Sequence, residues 1–367
     1  MAIKVGVFCP TLHYFGGGEF VTIAIANTLA QNNHQVTLFT TKEVNPKSIR
    51  DFFGETLHHS IKTITQPTNV NPKGLAGFYQ TIYRSYIAKS KCNLFIDAYS
   101  NCVFPWTNIS YIHFPTLNQQ SFRKQFPYLL SPHHTEVGII PHVIFEKKLV
   151  SYSDKLVLAN SQYTAQQIQK YSGKQAQVLY PPYTSSIKNT QETPKENLVV
   201  TVSRFEPNKK LENIPKIASQ TSKDIKYAVI GRLYNKATLT ALESAVKKLD
   251  LTDRVKFYPD LPAKQKLTLL TSAKVYLHTM VGEHFGISIV EAMASGCIPI
   301  VHNSGGMKEF VPAKYRYETL QEAADKIDLA INDWSPEKID EPKRIAENFS
   351  IENFSLRFMG LFSKYVN

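Results

Sequence analysis

The sequence predicts an α/β protein of two Rossmann-like domains, each a parallel sheet covered by helices. Three observations lead there. The chain has 367 residues, more than one hydrophobic core ordinarily organises. Short apolar runs alternate with helix-like stretches twice over, the pattern of parallel strands joined by crossover helices. A polar segment containing Pro194, residues 184–196, separates the two series and reads as a linker.

The first series opens with IKVGVF (3–8). It continues with QVTLFT (35–40), NLFID (93–97), ISYIHF (109–114), KLVLAN (155–160) and AQVLYPP (176–182). Such runs suit strands buried on both faces. FVTIAIANTLAQ (20–31) and SQYTAQQIQKYS (161–172) are helices between them. The second series contains NLVVTVS (197–203), IKYAVIG (225–231), VKFYPD (255–260), KVYLHTM (274–280) and CIPIVHN (297–303). Its helices are KATLTALESAVKKL (236–249), KQKLTLLTSA (264–273) and ISIVEAMAS (287–295), the last closed by Gly296. The tail, IENFSLRFMGLFSKYV (351–366), places Phe354, Leu356, Phe358, Met359, Leu361 and Phe362 mostly on one helical face. It is expected to pack back on a domain. The expected division is therefore 1–183, a linker at 184–196, a second domain at 197–348, and the helical tail at 349–367.

Composition narrows the function classes. Uncharged stretches such as residues 292–307 contain Ser, Gly, Pro and Asn, so no membrane span is expected. MAIKVGVFCP reads as a first buried strand rather than a secretion signal, and the expected location is cytoplasmic. Cys9, Cys92, Cys102 and Cys297 form no C-x-x-C pair and are expected to be buried free thiols. The formal net charge is +12, and it is uneven. Residues 1–183 hold 16 basic and 8 acidic side chains; the rest hold 26 and 22. Such a field favours an anionic partner: phosphate, acidic lipid or nucleic acid. A solvated basic surface with no specific partner would carry the same charge.

The chemistry concentrates in GEHFGISIVEAMASG, residues 282–296. If KVYLHTM is a buried strand and ISIVEAMAS a helix, this loop lies at the carboxyl end of a strand. That is where open α/β sheets bind ligands. His284, Phe285, Gly286 and Ile287 lead into the helix, and the N–H groups of the last three, with the helix dipole, suit a phosphate. Glu291, near the first turn, can accept two hydrogen bonds from a ribose diol. Glu283 would face the hydroxyls of a sugar at the other end of a diphosphate. Spacing alone leaves open that both acids are merely solvated.

The segment EHFGISIVE, an E-x7-E with an internal Phe-Gly, resembles the signature of retaining glycosyltransferase family 4. The resemblance implies the GT-B fold: two Rossmann-like domains facing across a cleft, the donor mainly on the second. SRFEPNKKLE (203–212) resembles the family's G-R-x-x-x-x-K-G stretch, which implies that Arg204 and Lys209 bind the donor diphosphate. Ser203 and Lys210 stand where the family has glycines. FGGGEFVTIAIANTLA (15–30) resembles its N-terminal glycine loop, so Gly16 and Gly17 are expected at the donor phosphates or the acceptor. ISYIHFP (109–115) places His113 where the family has a histidine beside the reacting sugar. NSGGMKEFV (303–311) resembles a G-G-x-x-E loop in which Gly305 and Gly306 shape a turn. In flavour the motifs are similar to the lipid-linked-oligosaccharide alpha-1,2-mannosyltransferases.

These likenesses imply a retaining hexosyltransferase acting on a nucleotide-sugar, with GDP-mannose favoured over UDP-sugars or other GDP-sugars. The acceptor is a glycan, lipid-linked by a polyprenyl phosphate or free. His113 and Glu283 are the catalytic candidates beside the reacting sugar, Glu283 as a ligand of the donor-sugar hydroxyls in preference to a nucleophile for double displacement. No D-x-D occurs in the chain, so no metal and no other cofactor is expected, and Arg204, Lys209 and the helix N-terminus are left to neutralise the diphosphate. Residues 72–91 and 116–150 mix aromatics with Arg84, Lys89, Arg123, Lys124, Lys147 and Lys148. They suit peripheral contact with an anionic membrane, or packed amphipathic helices. Two alternatives remain in view: a UDP-sugar enzyme with another acceptor, nucleic acid being the least expected, and a non-catalytic binding protein that kept the fold.

Overall fold

The computed structural model describes residues 2–67, 75–115, 151–184 and 193–366. Arg123, Lys124, Lys147 and Lys148, and positions 185–192 of the linker, lie outside these residues. Two compact units are present: Met1–Pro182 together with Glu352–Asn367, and Tyr183–Ile351.

In the first unit β1 (Lys4–Phe8) leads into α1 (Gly17–Gln31), and β2 (Gln35–Thr40) into α2 (Pro46–Phe53). Then come β3 (Lys62–Thr65), α3 (Leu75–Lys89), β4 (Leu94–Asp97), β5 (Ile109–Ile112), β6 (Leu156–Ala159), α4 (Gln162–Ser172) and β7 (Gln177–Val178). The strands form one parallel sheet in the order β3-β2-β1-β4-β5-β6-β7. The central strands are buried, with Val7, Phe8, Phe95, Ile96, Ile109 and Tyr111 inside. That is why they read as continuous apolar runs without alternation. The edge strand β3, KTIT, is mostly exposed and too polar to announce itself.

Helix ends follow local chemistry. Asn45 accepts the Lys47 amide at the start of α2, which closes on a left-handed Gly54. Ser161 caps α4 through the Thr164 amide, and Gly173 closes it. The last helix, α11 in chain order (Ile351–Val366), belongs to the first unit. Phe354, Phe358 and Phe362, spaced by four, are its buried face. Phe362 meets the His34 ring edge-on at 5.1 Å, and Ser355 Oγ lies 2.8 Å from Thr28 Oγ1 on α1. Leu356, expected on the same face, is exposed.

The second unit contains β8 (Glu196–Val202), α5 (Asn213–Ala218), β9 (Lys226–Gly231), α6 (Lys236–Lys248), β10 (Val255–Pro259) and α7 (Ala263–Ser272). They are followed by β11 (Ala273–His278), α8 (Ile287–Ala294), β12 (Ile298–His302), β13 (Arg316–Tyr317), α9 (Leu320–Asn332) and α10 (Asp340–Glu347). The order is β10-β9-β8-β11-β12-β13, again parallel. Val199, Val229, Val275, Leu277 and Ile300 from the strands share a core with Ile214, Leu242 and Ile327 from helices. The two Rossmann-like parallel sheets expected from the sequence are both present. Cys9, Cys102 and Cys297 are buried, while Cys92 is half-buried.

Candidate donor site in the second unit and its counterpart in the first

In the second sheet the strand order turns at β8, whose neighbours are β9 and β11. Loops leave the carboxyl ends of β8 and β11 side by side, the position at which doubly wound sheets hold ligands. The loop after β8 carries Arg204 and Lys209; the loop after β11 carries Glu283 and leads into α8.

The first loop is drawn tightly over β9. The Ser203 amide donates to the Ile230 carbonyl (2.8 Å) and the Phe205 amide to the Arg232 carbonyl (2.9 Å). A Cβ on Gly231 would fall 1.7 Å from the Ser203 carbonyl oxygen, so only glycine admits this course. Arg204 pairs with Glu206 at 2.7 Å and lies over the Tyr234 ring at 5.5 Å. A 3-10 turn, Pro207–Lys209, then presents Lys209. Lys210 follows at φ 55°, a left-handed residue, which accounts for the glycine that the family prefers there. The Thr279 hydroxyl donates to the Lys209 carbonyl (2.9 Å) and ties this turn to the end of β11.

The second loop turns on two left-handed glycines, Gly282 and Gly286. Its middle is braced by the segment after β12. The Gly306 amide donates to the Glu283 carbonyl (2.8 Å), and the Gly282 amide to Ser304 Oγ (2.8 Å). A Cβ on Gly305 would meet the Glu283 carbonyl oxygen at 2.2 Å. The N-S-G-G motif thus acts as a backbone support for Glu283.

Lys209 Nζ stands 2.8 Å from Glu283 Oε2, with the two side chains 14% and 16% exposed. His278 Nε2 approaches the same oxygen at 3.5 Å. Burial would push the Glu283 carboxyl up, but Lys209 and His278 outweigh it and hold the acid well below the usual carboxylate range. The His284 amide donates to Glu283 Oε1 (3.1 Å). Burial brings the His284 imidazole down to about 4, so it is neutral near pH 7. The Phe285 side chain is core, packed on Phe310 and Phe349 with ring centroids 5.0 and 5.3 Å away. Gly286 is the N-cap of α8 and Ile287 its first residue, so their backbone faces the helix's positive end. Glu291, 7% exposed, is paired with Lys266 Nζ of α7 at 3.3 Å.

Lys209 and Glu283 are therefore in direct contact. Arg204 and Glu291 keep separate partners, Glu206 with Tyr234 and Lys266. His278, Thr279, Gly231 and Lys266 belong to this constellation and were missed by sequence reasoning. Only KVYLHTM hinted at the first two, by placing two polar residues at the end of an apolar strand.

The first sheet turns at β1, between β2 and β4. Gly16 and Gly17 follow β1, but the Gly16 amide is already bonded to Glu19 Oε2 (2.9 Å) as the α1 cap. Glu19, buried, also accepts from the Thr11 hydroxyl (2.8 Å). Gly17 is exposed. The third glycine of the run touches the histidine: a Cβ on Gly18 would sit 3.3 Å from His113 Nε2. His113 follows β5. Its amide donates to Asn101 Oδ1 (2.7 Å) and its carbonyl accepts from Asn160 Nδ2 (3.0 Å). Nε2 lies 3.0 Å from the Ala98 carbonyl. A carbonyl only accepts, so Nε2 carries the proton.

Among the described residues no three His, Cys, Asp or Glu side chains gather as metal ligands, and no helix is long and apolar enough to cross a membrane.

Residues 183–349 match the sequence family described as glycosyl transferases group 1. Over 300 residues the chain is 27% identical to the GDP-Man:Man(3)GlcNAc(2)-PP-Dol alpha-1,2-mannosyltransferase of Dictyostelium discoideum, covering 70% of this chain and 59% of that protein. To the Homo sapiens protein of the same description it is 28% identical over 236 residues, 54% of this chain and 46% of that one. The chain thus spans about half the length of these relatives. Among solved structures, Anabaena Alr3699/HepE in complex with UDP and glucose superposes with TM-score 0.75 at 17% identity, over 98% of this chain and 99% of that one. WaaG, a glycosyltransferase involved in lipopolysaccharide biosynthesis, gives 0.73 at 13%, over 96% and 98%. At such identities these structures speak for the fold, which is GT-B.

Proposed function

We propose that this chain, whose second unit carries the pattern of the glycosyl transferases group 1, is a retaining mannosyltransferase. It takes mannose from GDP-mannose and delivers it to a lipid-linked oligosaccharide. The Lys209–Glu283 pair at the β8/β11 turn of the sheet, beside the start of α8, carries the reading. The relatives' shared description supports GDP-mannose as donor and a dolichol-diphosphate glycan as acceptor.

The assigned roles follow from charge. Arg204, Lys209 and the α8 N-terminus at Gly286 and Ile287 meet the diphosphate, and Glu291 accepts from the ribose diol. Glu283 accepts from hydroxyls of the transferred sugar, with neutral His284 beside it. The bond from the anomeric carbon to the diphosphate oxygen breaks, and the acceptor oxygen bonds to the same face of that carbon. Its proton passes to a phosphate oxygen of the departing GDP. Fixed cations stabilise the negative charge as it develops, without a metal in this scheme.

On α3, Tyr79, Tyr83 and Tyr86 are exposed at spacings of four and three. Together with the basic surplus of residues 1–183, this supports peripheral contact with an anionic membrane on the cytoplasmic side.

The test is transfer from GDP-mannose, UDP-glucose and UDP-N-acetylglucosamine to a synthetic polyprenyl-diphosphate trimannosyl acceptor, with product anomericity read by NMR. An alpha-mannosyl product from GDP-mannose supports the proposal. Preference for a UDP-sugar replaces the donor, a beta product removes retention, and inertness towards all three leaves a binding protein.

A further inference from the structure

We propose that His278 is the positioning residue for Glu283, holding its carboxylate in place when Lys209 turns to a bound diphosphate. The inference rests on the donor-site reading above.

Lys209 and His278 converge on one oxygen. Glu283 Oε2 receives Lys209 Nζ at 2.8 Å and His278 Nε2 at 3.5 Å. A single lysine ammonium cannot serve this carboxylate and a diphosphate equally well; its strongest interaction goes to the denser negative charge. Any turn of Lys209 towards phosphate vacates Oε2 and leaves a half-buried carboxylate short of a donor. His278 stands next in line, at the outer limit of a hydrogen bond, where a small shift closes the contact.

The imidazole is built for that task and for little else. It ends the buried strand β11 and is 3% exposed. Its carbonyl is fixed by the Tyr317 hydroxyl at 3.0 Å, so the backbone that carries it is anchored. Its Nδ1 is buried with no hydrogen-bond partner among the described residues. Toward a carboxylate Nε2 must be the donor, and Nδ1 is left buried without a partner. Burying that nitrogen unpaired costs free energy that an aliphatic residue would avoid. The cost is intelligible if the Nε2–H has work at Glu283. Thr279, the next residue, holds the Lys209 carbonyl at 2.9 Å. Two successive residues of β11's end thus govern the two members of the ion pair, one by side chain and one by backbone.

The test uses the full chain with His278→Gln, His278→Asn and His278→Phe. Glutamine places an amide N–H about where Nε2 stands; asparagine places it nearer Nδ1; phenylalanine keeps the ring volume without a donor. Expected for His278→Phe is a kcat about ten- to a hundredfold lower, the scale of one charge-assisted hydrogen bond, with donor KM changed less than about threefold. His278→Gln should recover most of it and His278→Asn little. In parallel, a carbon-13 NMR titration of the Glu283 side chain in the donor-free protein should show its pKa raised in His278→Phe and restored in His278→Gln. Phe and Gln variants with equal kcat, or a Glu283 pKa indifferent to all three changes, overturn the proposal. If the unsubstituted protein transfers no sugar, the donor-site reading falls, and the NMR titration still decides whether His278 governs Glu283.

Discussion

Lys209 Nζ and Glu283 Oε2 meet at 2.8 Å although 74 positions separate them in the chain. Neither lies in a regular strand. Each hangs from the end of one, β8 and β11, and those two strands are neighbours in the sheet. The pair is thus a product of topology, and it joins the two motifs that sequence reasoning assigned to the ends of one ligand.

Breaking the pair should show in pH dependence as well as in rate. Lys209 helps hold the Glu283 carboxyl low, so Lys209→Met should raise its pKa. The acid limb of kcat/KM then moves to higher pH. Glu283→Gln should abolish that limb. Each change should lower kcat/KM by about 100-fold or more, the usual worth of a group aimed at developing charge. Steady-state mannosyl transfer measured from pH 3 to 9 checks this, and near-normal turnover in Glu283→Gln would remove that residue from the site.

Gly231→Ala should damage the donor loop from behind. The added methyl would lie 1.7 Å from the Ser203 carbonyl oxygen, a backbone atom that cannot swing aside. The loop carrying Arg204 and Lys209 must shift, so GDP should bind at least about tenfold more weakly, with stability lower by about 2 kcal/mol. Calorimetric GDP binding and a melting curve measure both.

Asp97, at the end of β4, is a buried carboxyl that accepts from the Tyr99 and Ser100 amides at 3.0 and 2.8 Å. Burial raises its pKa from 3.8 to about 6 despite those bonds. A folded-state pKa above the unfolded one favours the protonated form in the fold. The associated stability is complete below about pH 4 and is lost as pH rises through about 6. Asp97→Asn keeps an acceptor for both amides and carries no charge. It should therefore stabilise the first unit at pH 8, by about 2 kcal/mol, with the gain vanishing below pH 4. Thermal melts at pH 4 and 8 decide it, and an equal effect at both would exclude the titration.

Phe358→Ala should loosen the tail helix from the first unit. Phe358 is fully buried between Phe354 and Phe362, and its loss should cost about 3 to 5 kcal/mol. Leu356→Ala, at 73% exposed, is the control and should change stability by less than about 0.5 kcal/mol. Hydrogen exchange of α11 and α1 amides would report the difference.

Much of this was legible before any coordinate. Continuous apolar runs such as LVLA and KVGVF are what a strand covered on both faces must look like, so the central strands were plain. β3 and β13 escaped, since KTIT is polar and RY is two residues long. The helix after EHFG was readable from its closing Gly296, which is left-handed at φ 79°. In the site, the charged residues of each motif stood out because a carboxylate or a lysine among apolar neighbours needs a reason. Their supports did not. Gly231 looks like any strand-ending glycine until the Ser203 carbonyl is seen against it. Lys266 sits on an ordinary amphipathic helix until it reaches Glu291.

Taken alone, the order of residues determined two parallel α/β units, the ends at which loops would carry chemistry, and the charges on those loops. These depend on burial periodicity and caps, which act over a few neighbouring residues. Only the folded chain decided that Lys209 answers Glu283 while Lys266 answers Glu291, that His278 stands behind the first pair, and that Gly18 rather than Gly16 meets His113. Those choices follow from which strands lie side by side and how closely two backbones approach. A local pattern does not encode such distances; the packed sheet sets them.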